Sequence, residues 1–376
     1  MTDATHARVT AVPAPPRQRV YLDLTHLGRH VTGIERVTIE QFEKVAFASS
    51  DVRQVGANGI LSMILRQQLL LPLLAVLHPR ALFVFPGFPP SPLMRLFRGR
   101  VVMYVHDLFL LTRRQDLGLK ARLYMAWPFA RAVAGLRYFL TNSEKTLAEL
   151  AAVAPSDARL ALYRPRVANL FGLEPPTAHR AGHPAREPGT LRLVALGTVE
   201  PRKNYPAALA IADALAGLGF AGVQIDIIGR EGWGGETERL SSHPRVRLRG
   251  YLSAAEAKAV IESADLYLCT SHDEGLGLPL LEVQYAGLAV VAPDAPVFRE
   301  VLGASGTFVD PTRPEDAARA IAHLVAAPDW RQRAAAAALA NVARWNGLAE
   351  GDAGRVVESL AGQLATAWRD GTGRGS

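Results

Sequence analysis

The sequence holds a single cysteine, Cys269. No disulfide framework can form within it, which fits a reducing compartment, and its place inside an apolar run assigns it to packing ahead of nucleophilic chemistry. Metal-ligand spacing is also lacking. Of the ten histidines only His26 and His30 stand four apart, with Gly28 between them and no acid or cysteine nearby to complete a set, so no metal is expected. No secretory signal opens the chain, and residues 1–18 read as a loose, polar, proline-containing arm. The most apolar stretch, Ile60 to Leu77, is interrupted by Arg66, Gln67 and Gln68 and is expected to be too short and too polar in its middle to span a bilayer. These absences point to a soluble cytoplasmic chain, at most peripheral on the inner face of a membrane.

What is present is apolar and basic. Hydrophobic residues make up 49% of the 376 positions against 20% charged, enough for the cores of two domains. The formal net charge of +7 attracts anions, whether nucleic acid, anionic lipid or phosphorylated substrates, and does not choose among them. Residues 171–190 (FGLEPPTAHRAGHPAREPGT) lack periodicity and read as a linker. They divide a first domain, 19–170, from a second, 191–345, with 346–376 forming a terminal helix and tail. In the second half six apolar runs, at 191–196, 223–228, 246–248, 265–269, 288–292 and 307–309, alternate with helical patterns. That alternation implies βαβ units and a parallel sheet covered on both faces. Strands at 19–25, 81–85, 100–105, 137–140 and 159–163 give the first half a similar form.

The chemistry-bearing stretch is Thr270 to Val291 (TSHDEGLGLPLLEVQYAGLAVV). It leaves the 265–269 run, crosses a glycine loop and enters a helix at Pro279, a residue suited to the first helical position. Gly275 and Gly277 lack a Cβ, so a ligand can come close to the main chain. Amides at the helix start favour an anion, and Glu274 and Glu282 bracket that place. Two acids would repel a bare phosphate, but they suit a ligand that also offers hydroxyls, since an ionised carboxylate only accepts hydrogen bonds. A nucleotide sugar has both parts. The plainer alternative makes Glu282 a first-turn helix acid and Glu274 a solvated loop charge.

The strand at 191–196 ends in LGTVEPRKNYPAAL, where Gly197 permits a tight exit and Arg202 and Lys203 stand just before a helix starting near Asn204 or Tyr205. A guanidinium and an ammonium at the carboxyl end of a parallel strand suit a diphosphate; a solvated basic turn is the alternative. His106 and Asp107 end the 100–105 strand, where ligand contacts concentrate in open α/β sheets. After the 19–25 strand, Gly28 and Gly33 punctuate a loop before a helix from Ile34, which is equally an ordinary βα turn. The segment 94–100 (MRLFRGR) suits an anionic membrane face, or simply a half-buried loop or helix.

EPRKN at 200–204, followed some seventy residues later by EGLGLPLLE (274–282) and AGLAVVAPD, resembles the retaining glycosyltransferases of family 4. VTGIERV, VHD at 105–107, TNSEKT, RGYLS and ARWNG extend the resemblance over roughly 19–360. It implies the GT-B fold, an α/β architecture of two Rossmann-like domains with parallel sheets facing across a cleft, and no bound metal or other cofactor. The C-terminal helix, 352–368, would cross back onto the first domain. By the same resemblance Arg202 and Lys203 would grip the donor diphosphate and Glu282 the ribose diol. Glu274, with the backbone of Gly275, Leu276, Gly277 and Leu278, would hold sugar and phosphate. His106 would touch the transferred sugar, Gly197 would border the donor, and the Gly33 loop would border acceptor and phosphate. Thr198 stands where many members carry Arg, so Arg202 is expected to supply the second cation.

The expected activity is transfer of a hexose of mannose or glucose type from a nucleotide-diphosphate sugar such as GDP-mannose. The acceptor would be a glycan or lipid-linked molecule in surface polysaccharide, lipopolysaccharide or glycolipid synthesis. Contact with an anionic membrane is a further expectation, and nucleic acid is not an expected partner. Rival readings are a sugar-nucleotide epimerase or a phosphorylase of the same fold, or a non-catalytic basic membrane-binding protein.

Overall fold

The computed structural model describes residues 19–27, 33–43, 50–113, 122–175, 189–232 and 234–371. The expected arm 1–18, Gly28 and His30 in the first glycine loop, linker residues 176–188 and the tail 372–376 lie outside the described residues.

Two six-stranded sheets organise the chain, and all their pairings are parallel. The first contains β1 (Arg19–Leu24), β2 (Asp51–Gly56), β3 (Leu82–Phe85), β4 (Val101–Val105), β5 (Tyr138–Thr141) and β6 (Arg159–Leu162), in the order β2-β1-β3-β4-β5-β6. The second contains β7 (Thr190–Leu196), β8 (Gly222–Ile228), β9 (Val246–Gly250), β10 (Leu266–Leu268), β11 (Ala289–Pro293) and β12 (Gly306–Val309), in the order β12-β11-β10-β7-β8-β9. Near-continuous apolar runs form these strands because helices cover both faces. Along β7, Leu191, Leu193 and Ala195 enter one cluster while Val194 and Leu196 enter the other. Along β3, Phe83 and Phe85 face one cluster and Leu82 and Val84 the opposite one.

Winding reverses beside the first strand of each sheet, between β1 and β3 and between β7 and β10. Crevices open at such switch points, outside the carboxyl ends of the strands. In the second sheet the β7/β10 switch is where Gly197 and Thr270 leave their strands.

Three features differ from the sequence reading. Edge strand β2 gave no apolar run, because only Val55 of its six residues is buried. Ile60–Leu77 is one unbroken 18-residue helix, long and apolar enough by length and composition to cross a membrane. Its irregularity is a wider turn at Arg66–Leu70, directly before the segment Leu71–Leu77 that carries Pro72 in its first turn. Two of the polar residues there find partners, with Gln67 donating to Asp23 at 2.9 Å and Arg66 to the Gly56 carbonyl at 2.7 Å. The C-terminal helix runs as one 42-residue element, Trp330–Gly371, rather than starting at Asp352. Trp345 is buried in a core of the second sheet, and Val356 is buried in a core of the first.

Arg164, just after β6, ties these parts together. It is 4% exposed, and its guanidinium bonds Glu144 of the first domain at 2.6 Å, Glu300 of the second at 3.1 Å and Asp352 of the C-terminal helix at 3.0 Å. Trp345 donates to the neighbouring Pro165 carbonyl at 2.9 Å. Glu300 and Asp352 are buried with it, and removing either strands the guanidinium at a cost of about 3–5 kcal/mol, whereas Glu144 is two-thirds exposed.

Candidate active site

Beyond β7 the chain must turn sharply, and Gly197 does so at φ 141°. A Cβ there would stand 2.7 Å from the Lys203 Cε, so the glycine also makes room for the lysine stem. Pro201–Lys203 forms one 3-10 turn, closed by Asn204 at φ 51° and ψ 44°. Asn204 is the one non-glycine residue with positive φ among the described residues, a conformation asparagine tolerates better than most. The Thr270 hydroxyl lies 3.1 Å from the Lys203 carbonyl and 2.9 Å from that of Asn204, and the His272 amide bonds the Arg202 carbonyl at 2.9 Å. The basic turn is thereby fixed to the loop that follows β10.

Three charged groups meet on that loop. Glu274, only 7% exposed, accepts from Lys203 Nζ at 2.6 Å, Arg202 Nη1 at 2.6 Å and the Ser271 hydroxyl at 2.9 Å. Burial alone would raise its carboxyl, but Lys203 and Arg202 outweigh that and hold it at about 2. Arg202 is the more constrained cation. It also gives Nε and Nη2 to Glu200 at 3.0 and 2.6 Å and Nη1 to the Asp273 carbonyl at 3.1 Å. Lys203 has Glu274 as its ion-pair partner among the described residues. Arg202 is thus a fixed positive charge, and Lys203 a tethered ammonium with donors to spare.

The first domain closes over this cluster. Phe109 stacks 5.3 Å from the Arg202 guanidinium, and Lys145 pairs with Asp273 at 3.0 Å. Ser143 caps its helix by accepting from the Thr146 amide at 3.2 Å and donates to the Gly275 carbonyl at 2.8 Å. A Cβ on Gly275 would collide with the His106 carbonyl, so this glycine admits the main chain of the opposite domain rather than an open approach for ligand. Gly277 takes φ 82° to start the helix Leu278–Glu282, with Pro279 in its first turn. Leu276 is buried in the second domain's core, while Leu278 packs against clusters of both domains.

His106 donates from Nε2 to the Pro86 carbonyl at 2.8 Å, because a carbonyl can only accept. Burial lowers this imidazole to about 4, against the pull of the Pro86 carbonyl and with a small push from His26. Neutral and fixed in that tautomer, the ring keeps Nδ1 as an acceptor suited to a hydroxyl donor. Asp107 beside it is pushed up by burial, with Arg202 and Lys145 opposing. Glu282 is also buried, and burial raises its carboxyl despite an ion pair with Arg36 from the helix Gly33–Thr38.

Arg202, Lys203, Glu274, Gly197 and the Gly275–Leu278 backbone therefore share one cleft wall. His106 meets that wall from the other domain, and Glu282 is joined to the Gly33 helix through Arg36. Neither glutamate is a solvated charge. Sequence reasoning missed Glu200, Phe109, Lys145, Arg36 and His26. Glu200, Arg36 and Lys145 had a local signal, since they sit inside the quoted EPRKN, VTGIERV and TNSEKT; Phe109 and His26 had none. Among the described residues no group of three or more His, Cys, Asp and Glu could hold a metal ion.

Residues 183–340 match the family model described as "Glycosyl transferases group 1". The second half of the chain is a group 1 glycosyltransferase domain. The serotype-specific mannosyltransferase WbdA of Escherichia coli is 29% identical over 136 residues, covering 34% of this chain and 16% of that protein. The phosphatidyl-myo-inositol mannosyltransferase of Mycobacterium tuberculosis is 34% identical over 179 residues, covering 44% of this chain and 46% of that one. The chain thus spans less than half the length of either of these relatives. Among solved structures, Anabaena HepE in complex with UDP-glucose superposes with a TM-score of 0.63 at 15% identity, over 92% of this chain and 99% of that one. The lipopolysaccharide glycosyltransferase WaaG gives 0.59 at 14%, over 91% and 98%. With two parallel sheets and these neighbours, the group 1 domain is one half of a GT-B fold.

The two imidazoles set a pH dependence. His26 and His106 are both lowered by burial from 6.5 to about 4. Depressed in the folded state, each contributes stability that is present above the unfolded value and lost as pH falls towards about 4. The slope is at most about 1.4 kcal/mol per pH unit for each proton. Urea unfolding of the wild type at about pH 7 and about pH 5 should show the drop, and His106→Asn should reduce it. An unchanged difference between the two pH values in that variant would contradict the assignment.

Proposed function

We propose that this protein is a retaining, nucleotide-sugar-dependent glycosyltransferase that moves a hexose, mannose in the first instance, onto a glycan or lipid-linked acceptor in surface polysaccharide or glycolipid synthesis. The observation that carries the reading is the Lys203–Glu274–Arg202 cluster at the β7/β10 switch point of a group 1 glycosyltransferase domain. Mannose is favoured by the E. coli and mycobacterial relatives, which are mannosyltransferases.

In this reading the diphosphate meets Lys203, which exchanges Glu274 for a phosphate oxygen, while Arg202 stays in place. The bond from the anomeric carbon to the diphosphate oxygen breaks, and its electron pair goes to the nucleoside diphosphate. The acceptor oxygen bonds the same face of that carbon, and its proton passes to the departing phosphate. Cations already fixed before charge develops are worth about 3–4 kcal/mol each. They supply positive charge of the kind a divalent metal gives elsewhere, so no resident metal or other cofactor is proposed. Glu274, still held by Arg202 and Ser271, turns the acceptor position that Lys203 vacates to a hydroxyl of the transferred sugar, His106 Nδ1 accepts from another, and Glu282 takes the ribose diol.

The two glutamates should fail differently. Glu282→Gln removes contacts that are alike in ground and transition states and should mainly raise the donor KM. Glu274→Gln acts beside the reacting carbon and should lower kcat more than affinity. Steady-state kinetics with varied donor decides, and the opposite pattern would reverse the placement of sugar and ribose.

We also propose that the first domain rests on the anionic, cytoplasmic leaflet of a membrane. One face of the Ile60–Leu77 helix, including Leu71 and Ala75, is docked on the domain, while Leu61, Leu69, Leu73 and Val76 are more than half exposed. The segment Pro92–Arg100 packs beside that helix and exposes Leu96, and Trp127 lies exposed with Arg131 stacked 5.7 Å away. Apolar side chains with interleaved arginines suit a helix lying in an interface better than one crossing it. Vesicle flotation should show binding to anionic but not neutral vesicles, weaker at high salt. Leu69→Ser/Leu73→Ser/Val76→Ser should abolish it, and absence of wild-type binding to both vesicle types would end the idea.

A further inference from the structure

Arg36 has no place in the reaction as described so far, yet it reaches the donor wall from the opposite domain. Its guanidinium, one quarter exposed, pairs with the Glu282 carboxylate, which is 5% exposed. The helix that carries it shares packing with the Leu278–Glu282 helix, since Val37 is buried in the first-domain cluster against which Leu278 packs. Any ribose that claims Glu282 must therefore take it from Arg36. A guanidinium losing its carboxylate in a closed cleft is costly unless another anion replaces it. The donor brings such an anion in the same molecule, one phosphoester bond from the ribose. Arg202 cannot serve this purpose without leaving Glu200, Glu274 and the Asp273 carbonyl.

We infer that Arg36 is a donor-site residue delivered by the first domain: it closes on Glu282 in the empty cleft and turns onto the diphosphate when the ribose displaces it. The inference rests on the donor reading above. It makes Arg36 a competitor for the nucleoside part of the donor and a ligand for the phosphate part. Removing it should therefore act in opposite senses on the two. It also gives the site, with Lys203, a second cation free to meet phosphate.

Titration calorimetry with guanosine, GDP, uridine and UDP tests this on the wild type, Arg36→Gln and Arg36→Lys. For the base that the wild type prefers, Arg36→Gln should bind the nucleoside as tightly as the wild type or more tightly. The gain in affinity from nucleoside to nucleoside diphosphate should fall about tenfold or more, the effect of losing one charge-assisted contact. Arg36→Lys keeps the charge without the fork and should recover part of that gain; should Arg36→Gln fail to fold, the reduced gain in Arg36→Lys carries the test. An unchanged gain in a folded variant, or weaker nucleoside binding in Arg36→Gln, overturns the inference and leaves the donor reading standing. A wild type that binds none of these four ligands, nor adenosine, ADP, thymidine and dTDP, removes both.

Discussion

The cluster of Glu274 between Lys203 and Arg202 is the constraint from which most of the site's geometry follows. A carboxylate that deep costs several kcal/mol unless it is paired and hydrogen-bonded. Two cations and the Ser271 hydroxyl meet that need, and burial fails to keep its acid neutral. To deliver both cations the chain needs a positive-φ glycine at 197, a left-handed Asn204 and a threonine at 270 that pins the turn. Glu200 then holds Arg202 from behind. The strands bring these pieces together because β7 and β10 are neighbours at the switch point, although some seventy residues separate them.

The two domains complete each other at this place. Phe109 covers Arg202, Lys145 pairs with Asp273, Ser143 bonds the Gly275 carbonyl, and Arg36 reaches Glu282. Away from the cleft, Arg164 and the C-terminal helix hold the same seam with buried charge and Trp345. Most of these contacts are polar and several involve buried ions, so each is sensitive to its partner's presence. A seam built of exchangeable ion pairs suits a cleft that must admit a charged ligand.

Much of the fold was legible in the sequence, for a physical reason. Strands of a parallel sheet covered on both faces are continuous apolar runs, and the six in the second half were read from apolar stretches, although edge strand β9 carries Arg247 and Arg249 between its apolar residues. β2 was not legible because an edge strand carrying Arg53 and Gln54 has no such run. The long last helix was obscured by Asn346, Gly347, Gly351 and Gly354 in its middle, which tertiary packing of Trp345 and Val356 overrides. At the site, residues that share a loop or a turn were found, including Arg202, Lys203, Glu274 and Glu282. Of those that arrive from the other domain, His106 was found from its place at the end of a strand, while Phe109 and His26 were not, since nothing local to them records a partner so distant in sequence. Gly275 was correctly singled out for closeness of approach, but what approaches is the His106 carbonyl.

The central claim is that this cleft binds a nucleotide sugar through its ribose, diphosphate and hexose together. Thermal unfolding of the wild-type protein against GDP-mannose, and UDP-, ADP- and dTDP-glucose, tests it most directly. One donor, at about 100 times its Kd, should stabilise the fold by about 2.7 kcal/mol. If all four leave the midpoint unmoved up to millimolar concentration, the account is wrong.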